Sequence, residues 1–380
     1  MRFWGDDVAK SRAIDRLLAL RGALHREIKA KRGEGSILLA TWNLRDFDDN
    51  KFGHGPRLDE SFLYLAEIIS AFDIVALQEV NRGLGALKTL INRLGKRDWD
   101  YIVTDITEGS SGNQERMAFV FNKHRVSFGN MAGEIVLPGQ KDRQFARTPF
   151  VAAFQAGWYK FNLCTVHMFF GSGKEGKQRR VKEIDDLAKF VIKRQKKETG
   201  DYILLGDFNI ESADDATMKA LTDNGFTMKK ELMEVGTTLK GANPYDQIAL
   251  KTKNKMLELG DAGIFDFEKF VFREEDHQQY RSSDPKNVHH DRYITPEKEQ
   301  KFVDQAKKRK RKKAEKNGVP FTWSEEETAA EQKKYYLSVW RSFQLSDHKP
   351  IWIEMKVDFT ADYLKSLKPA KKPLSDTDPD

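Results

Sequence analysis

The chain has 380 residues, 39% hydrophobic and 32% charged, with a net charge of +7, 25 Phe, 7 Trp and one cysteine. That apolar content is enough for a sizeable core and excludes a wholly disordered chain, while the length allows two or three domains or one large sheet-based domain with an insertion. Cys164 alone excludes an internal disulfide or a cysteine-built zinc site, and no apolar run approaches the ~20 residues that span a bilayer.

Charges recur every few residues at the N-terminus, so it lacks the apolar stretch of a secretory signal; an intracellular, cytoplasmic location is the expectation. Residues 6–32 read as a helix, with Val8, Ile14, Leu17, Leu18, Ala23 and Leu24 at near-helical spacing, ended by Gly33 and Gly35. Residues 36–44 (SILLATWNL) read as a buried strand, 58–72 as a helix, 73–80 (DIVALQEV) as a strand and 84–94 as a helix. Strand-like runs follow at 99–104, 116–122, 149–155 and 160–167. Residues 177–197 keep Val181, Ile184, Leu187, Ala188 and Val191 at helical spacing, which makes a surface helix with one buried stripe. Further strands are expected at 202–206, 247–250 and 351–357. Strands and helices mixed in this way indicate an α/β or α+β architecture with large sheets.

Between Arg273 and Leu337 apolar residues thin out and charge becomes dense, including the run KKRKRKK at 307–313. This reads as a partly helical insertion projecting from the main body, with strand-like composition resuming at Ser338. The tail from Pro369 is polar and proline-bearing and reads as disordered. The expected division is an N-terminal helix (1–35), one main domain (36–360) interrupted at about 273–337, and a disordered tail (361–380).

Several strand-like runs end in small polar or acidic clusters. TWN ends on Asn43, ALQE on Glu79 and TVH on His167; GDFN presents Asp207 and Asn209, YDQI presents Asp246, and SDH presents Asp347 and His348. Strand ends of a shared sheet can converge on one rim. Carboxylates and Asn amides without paired cysteines are hard oxygen ligands, which suit magnesium, with manganese as the alternative, rather than zinc. Two histidines can move protons near neutral pH. This is the equipment of phosphodiester hydrolysis: a cation neutralises the phosphate oxygens, a carboxylate-held His activates water, and another group assists the departing alkoxide. Each motif alone has a bland reading (Asn43 or GDFN a turn, His167 a core histidine, SDH a cap), but the ordered set does not.

In that order, TWNL, ALQEV, TVH, GDFN and SDHKPI resemble the endonuclease/exonuclease/phosphatase superfamily from about residue 36 to 357, the insertion excepted. The resemblance implies a four-layer sandwich, with two mainly antiparallel β-sheets face to face and helices outside. It implies Glu79 as the principal metal ligand, with Asn43 and Asp347 in the metal sphere. Asp207 and Asn209 would position the phosphate and the nucleophile, or hold a second metal. His348 would be the general base and Asp246 the carboxylate that orients it.

Intermediate segments resemble the DNase I-like branch: Glu115-Arg116 in ERMAFVF, Arg147 in FARTPF, His167 in TVH and Asp246 in YDQIAL. That branch implies a second acid/base dyad of Glu115 and His167, with Arg147, and Arg116 beside the dyad, as substrate contacts. The AP-endonuclease branch usually carries a Tyr-type residue in place of His167, and the inositol phosphatase branch a Trp-Cys-Asp-Arg segment that is absent here. Where DNase I-like enzymes send a Tyr and an Arg into the minor groove, this chain has Asn113 and Asn81, with Arg82 next door, so groove reading of that kind is not expected. The secreted relatives' disulfide is absent too, which fits an intracellular setting.

The expected activity is therefore that of a magnesium-dependent endonuclease nicking DNA. The alternative is a phosphatase or phosphodiesterase on small phosphorylated or phospholipid substrates. A catalytically dead nucleic-acid-binding module is disfavoured, because the ligand residues all stand. Nucleic acid, DNA above all, is the expected partner, and no membrane. The basic run 307–313 is either a phosphate contact or a solvated helix face. His289-His290-Asp291 reads as surface loop and Cys164 as core.

Overall fold

In β1 (Ser36–Phe47), Ile37 and Leu39 face a second sheet, while Leu38, Ala40 and Trp42 face helices, and all five are buried. A strand apolar on both faces must be covered twice, and the rest of the fold supplies the covers. The computed structural model describes residues 7–47, 52–54, 56–107, 114–138, 144–198, 200–281 and 292–368. Asn113, His289-His290-Asp291, residues 1–6 and the tail from Pro369 lie outside the described residues.

After β1 come β2 (Ile74–Val80), β3 (Trp99–Val103), β4 (Arg116–Asn122), β5 (Ser127–Glu134), β6 (Phe150–Ala156), β7 (Tyr159–His167), β8 (Asp201–Asp207), β9 (Asp246–Lys251), β10 (Glu258–Ile264) and β11 (Ile351–Lys356). They form one six-stranded sheet, in the order β10-β11-β1-β2-β4-β3, and one five-stranded sheet, β5-β6-β7-β8-β9. The pairs β1/β2 and β7/β8 are parallel and the other pairs antiparallel. Between the sheets lies an aromatic core in which Phe119 stands 5.4 Å from Phe154, edge to face, and 5.4 Å from Phe150.

Helices α1 (Asp7–Glu27), α2 (Asp59–Ile69) and α3 (Gly85–Leu94) cover the outer face of the first sheet. On the second sheet, α4 (Gly173–Gln195) lays down the expected stripe of Ile184, Leu187, Ala188 and Val191, beside α5 (Ala216–Thr222). The one-turn α6 (Lys230–Met233) adds Leu232 to the inter-sheet core. The result is the expected four-layer sandwich of mixed sheets flanked by helices.

Two strands escaped the sequence reading, β5 and β10. Both are edge strands with half-exposed, glycine-bearing sequences, so they carry little apolar alternation. The segment from Ser338 is also different from expectation. It continues a helix through a π-helical turn (Tyr336–Trp340) into Arg341–Gln344, and the strand begins only at Ile351. A short helix, Thr360–Ser366, occupies the start of the segment read as tail.

The insertion is a hairpin of α7 (Pro296–Asn317) and α8 (Glu325–Tyr335). Thr295 caps α7 with Pro296 in its first turn, and Gly318, at φ +66°, ends it in the left-handed conformation that glycine tolerates. Rather than only projecting, its base is built into the body: Tyr280, Ile294, Tyr335 and Tyr336, with Trp340 just past its end, join the core over the first sheet. Trp340 meets Phe272 edge-on at 5.5 Å and Tyr280 at 5.0 Å. Trp340→Ala is therefore expected to cost about 3–5 kcal/mol, read as a lower urea midpoint at unchanged slope. A loss under about 1 kcal/mol would mean that the hairpin contributes little to the body's core.

Candidate active site

The topology brings the polar strand ends together. Parallel pairing sets the C-terminal ends of β1 and β2, and of β7 and β8, side by side, while β4, β9 and β11 run the opposite way and begin there. In the second sheet His167 pairs with Asp207, and Asp207 with Asp246, so three of the expected residues form one row across β7, β8 and β9. In the first sheet Asn43 pairs with Gln78, and Glu79 follows at a register shift on both sides of β2. Glu79 has φ +57°, and Arg45 (+43°), Asp46 (+47°) and Asn209 (+54°) line the same cleft in the same left-handed region. Non-glycine residues are held there at a cost of order 1 kcal/mol each; at Glu79 the bulge breaks the strand's alternation and turns the carboxylate toward the cleft.

Buried hydrogen bonds hold this geometry. The Arg57 guanidinium donates to the carbonyls of Leu44 (2.6 Å), Arg45 (3.0 Å), Asp46 (3.1 Å) and Leu345 (3.1 Å), clamping the end of β1 to the segment before Asp347. Below the rim, Gln78 Nε2 donates to Thr165 Oγ1 (2.8 Å) and Thr41 Oγ1 (3.0 Å), bridging the two sheets. Arg57 belongs to no motif that sequence reasoning singles out, and Gln78 lies inside ALQEV, where the reading settles on its neighbour Glu79.

The two sheets meet at Asn43. Its Nδ2 donates to Glu79 Oε1 at 2.9 Å and to Asp207 Oδ2 at 3.2 Å, while the Asp46 amide donates to Glu79 Oε2 at 2.8 Å. On either side of Asp207 stands a histidine, with Nε2 of His167 at 3.6 Å and of His348 at 3.8 Å from the same Oδ2. Each ring is held from behind by its own carboxylate, His167 Nδ1 by Glu115 at 3.0 Å and His348 Nδ1 by Asp246 at 2.7 Å. Thr237, which the sequence reading missed, donates to the same Asp246 oxygen at 2.6 Å. Asn209 donates its backbone N–H to Asp207 (2.9 Å) and its side-chain amide to the Met168 carbonyl (2.9 Å).

Burial raises the Glu79 carboxyl above its usual range, reinforced by Glu115 and Asp347 against the pull of His167 and the Asn43 bond. At His348 burial opposes a charged ring, but attraction to Asp246 and Asp207 outweighs it and holds the imidazole well above its usual value. So many buried carboxylates call for added positive charge. A hard divalent cation fits the donor set: Glu79 and Asp207 bring oxygens from different sheets onto one amide, with Asp347 on the same cleft. Asp207, Asp246 and His348 also bring ligand atoms within 4.8 Å of one another. In that trio, however, Asp246 Oδ2 is already engaged by His348 and Thr237.

The cleft, of about 970 Å³, is lined by Glu79, Glu115, Arg147, His167, Asp207, Asn209, Asp347 and His348, with Asn43 and Asp246 buried directly behind. Arg147 is held by Glu115 at 2.8 Å, and Asp347 is paired with Arg45 at 3.4 Å. Arg116 does not join them: its guanidinium donates to the Thr104 carbonyl (2.6 Å) and to Asp105 (3.3 Å), which corrects its expected place at the substrate. Asn81 donates inward to Asp46 at 2.6 Å. The unanticipated lining comes from the insertion and neighbouring loops: Lys240, Tyr245, Lys298, Lys301, Phe302 and Tyr335.

A double-sheet sandwich with carboxylates, Asn and two carboxylate-held histidines on one rim defines a phosphoester hydrolase. The profile of the Endonuclease/Exonuclease/phosphatase family matches residues 40–285, and the chain belongs to that family, whose members are hydrolases acting on phosphoesters. Among solved structures it is similar to an endonuclease/exonuclease/phosphatase family protein from Bacteroides thetaiotaomicron (16% identity, 84% of this chain and 94% of that one, TM-score 0.50). Others are D. rerio TDP2 humanized by 14 mutations (14%, 85% and 99%, 0.47) and the human Nocturnin catalytic domain (18%, 61% and 87%, 0.47). No curated protein matches the chain.

Proposed function

We propose that the chain is an endonuclease that hydrolyses DNA phosphodiesters with a divalent cation, magnesium or manganese, held by Glu79, Asp207, Asn43 and Asp347. The observation that carries this reading is the pair of imidazoles flanking one Asp207 oxygen, each with its own carboxylate. Such a pair supplies a base for the attacking water and an acid for the leaving oxygen.

His348, with Asp246 fixing the proton on Nδ1, accepts a proton from water at Nε2. As the phosphorus bond to the leaving oxygen breaks, His167, held by Glu115, gives its Nε2 proton to the departing alkoxide. Arg147, also on Glu115, adds positive charge beside the dyad, and Asp207 with Asn209 orients the reacting groups. The cation, when bound, neutralises the phosphate oxygens and the developing charge.

DNA as the partner is supported by Lys240, Lys298 and Lys301 on the cleft wall and by the net charge of +7. An intracellular setting is supported by Cys164, the only cysteine, which is buried. Among the described residues no helix is long and apolar enough to cross a membrane.

Incubation with supercoiled plasmid and magnesium, with EDTA and His348→Ala as controls, is expected to give nicked circles only in the complete reaction. Intact plasmid alongside cleavage of a soluble phosphomonoester or head-group substrate would replace the nuclease by a phosphatase.

A further inference from the structure

Helix α7 turns one face to the cleft, and that face continues beyond it. Lys298, Lys301, Phe302 and Gln305 line the cavity. At 100° per residue, Lys298, Lys301, Gln305, Lys308, Arg309 and Lys312 fall in one sector about 100° wide. The acids Asp304 and Glu315 lie outside that sector, and so do the buried Glu299, Val303, Ala306 and Ala314. From Lys298 to Lys312 the stripe rises about 21 Å.

Three other residues of the basic run, Lys307, Lys310 and Arg311, are engaged within the hairpin. Lys310 pairs with Glu327, Lys307 and Lys310 each lie 5.6 Å from the Trp323 ring, and Arg311 lies 4.9 Å from Phe321. By contrast Lys301, Lys308, Arg309 and Lys312 are exposed and form no ion pair among the described residues. The run thus divides into a face that holds the hairpin together and a face that offers charge to a partner.

The cleft also carries two exposed aromatic rings amid charged groups, Phe52 (56% exposed) and Phe170 (57%). Phe52 lies 5.5 Å from Phe343, which stacks on His54 at 4.5 Å. Burial, with Arg45, Lys298 and Lys301 nearby, lowers His54 to about 4, so its ring is uncharged at neutral pH and this wall is electropositive. A line of cations leading from a catalytic cleft, with exposed aromatic rings at its start (Phe170 with the Arg180 guanidinium 5.9 Å from its centre), is complementary to a chain of phosphates carrying unstacked bases.

We propose that the α7 stripe and the rings of Phe52 and Phe170 form the path of a single polynucleotide strand, its phosphates running along Lys301, Lys308, Arg309 and Lys312 and its bases stacking on the two phenylalanines. This rests on the reading of the cleft as a phosphodiesterase site and adds the form of the substrate, an unpaired strand several nucleotides long. Supercoiled plasmid, whose torsional strain exposes unpaired strand, is a substrate on this basis, and relaxed linear duplex a poor one.

The test is fluorescence anisotropy in EDTA over a salt series, with labelled single strands of about 6 and about 20 nucleotides and a duplex of the longer length. The longer single strand is expected to bind tightest. Lys308→Glu with Lys312→Glu should weaken its binding and reduce the slope of log affinity against log salt by about 1.4, from two lost contacts of about 0.7 each. Phe52→Ala should weaken both single strands by about 10-fold. Melting temperatures equal to wild type confirm that the variants are folded, and Lys308→Gln with Lys312→Gln should act in the same direction with a smaller effect. An unchanged salt slope in the charge-reversed variant, or duplex bound as tightly as single strand, overturns the path. Wild-type hydrolysis of bis(p-nitrophenyl) phosphate with magnesium reports separately on the catalytic site: hydrolysis with an unchanged slope removes the path alone, and no hydrolysis of any phosphoester removes the site reading.

Discussion

His348→Ala is expected to lower the rate of DNA hydrolysis by about 10²–10⁴-fold while leaving the fold intact, because the ring sits at the rim and not in a core. Only a neutral imidazole can accept the proton of the attacking water. The carboxylates around His348 hold it in the protonated form to well above its usual 6.5, so the rate should rise with pH through that folded-state value. Asp246→Asn removes the nearest attraction, 2.7 Å away. Its acidic limb should therefore move to lower pH, even as the plateau falls through loss of the fixed tautomer. The same raised value has a stability consequence. The His348–Asp246 pair contributes fully below about 6.5, the unfolded value, and its contribution is lost as pH rises through the folded value, a dependence that Asp246→Asn should flatten. An acidic limb that stays in place in Asp246→Asn would remove His348 from the role of base.

The site was legible in the sequence because its chemistry sits at strand ends, where a short apolar run followed by a polar residue marks both the strand and the rim. His167, Asp207 and Asp246 could be named before their common row across β7, β8 and β9 was known. What was not legible depends on contacts distant in the chain. Arg57 reaches Leu345, 288 residues away, and nothing local to it signals a clamp. Thr237 looks like any loop threonine until its bond to Asp246 is seen. Arg116 shows the converse, since a neighbour in sequence to Glu115 points along the other side of an alternating strand.

The packing of the insertion's base is hidden in the sequence for a compositional reason. Charge density averaged over its length hides four residues near its two ends, Tyr280, Ile294, Tyr335 and Tyr336, that bury its base. One signal for α8 was present: Ser324 and Glu327 form a capping box with bonds of 3.0 and 3.1 Å. Past it, the extra residue of the π turn shifts the apolar positions off helical spacing, so the stretch from Ser338 reads as a strand. Neither reading of the basic run anticipates that Lys307, Lys310 and Arg311 pack within the hairpin, while Lys308 and Lys312 stay in solvent as a solvated helix face would.

Glu79→Gln is expected to separate stability from activity. Burial, with Glu115 and Asp347, raises the Glu79 carboxyl above its unfolded value, so ionising it opposes folding, and the opposition grows as pH rises through the carboxylate range. The balance already includes the favourable bonds from Asn43 and the Asp46 amide, because those bonds are part of what sets the raised value. Glutamine removes the charge at nearly constant shape. The metal-free variant should thus melt a few degrees above wild type near neutral pH. At about pH 4 the two should melt together, because Glu79 is then itself protonated. Activity should move the other way, falling by about 10²-fold or more, if Glu79 is the principal oxygen ligand as proposed, because that ligand has lost its charge. Wild type should also gain stability from magnesium, by about 2.7 kcal/mol at a hundredfold excess over the dissociation constant, and the variant should lose most of that gain. Melting curves in EDTA and in magnesium, at both pH values, measure all of this on one pair of proteins. A variant that is less stable than wild type in EDTA near neutral pH, or one that keeps the full magnesium shift, would place the cation elsewhere in the cleft.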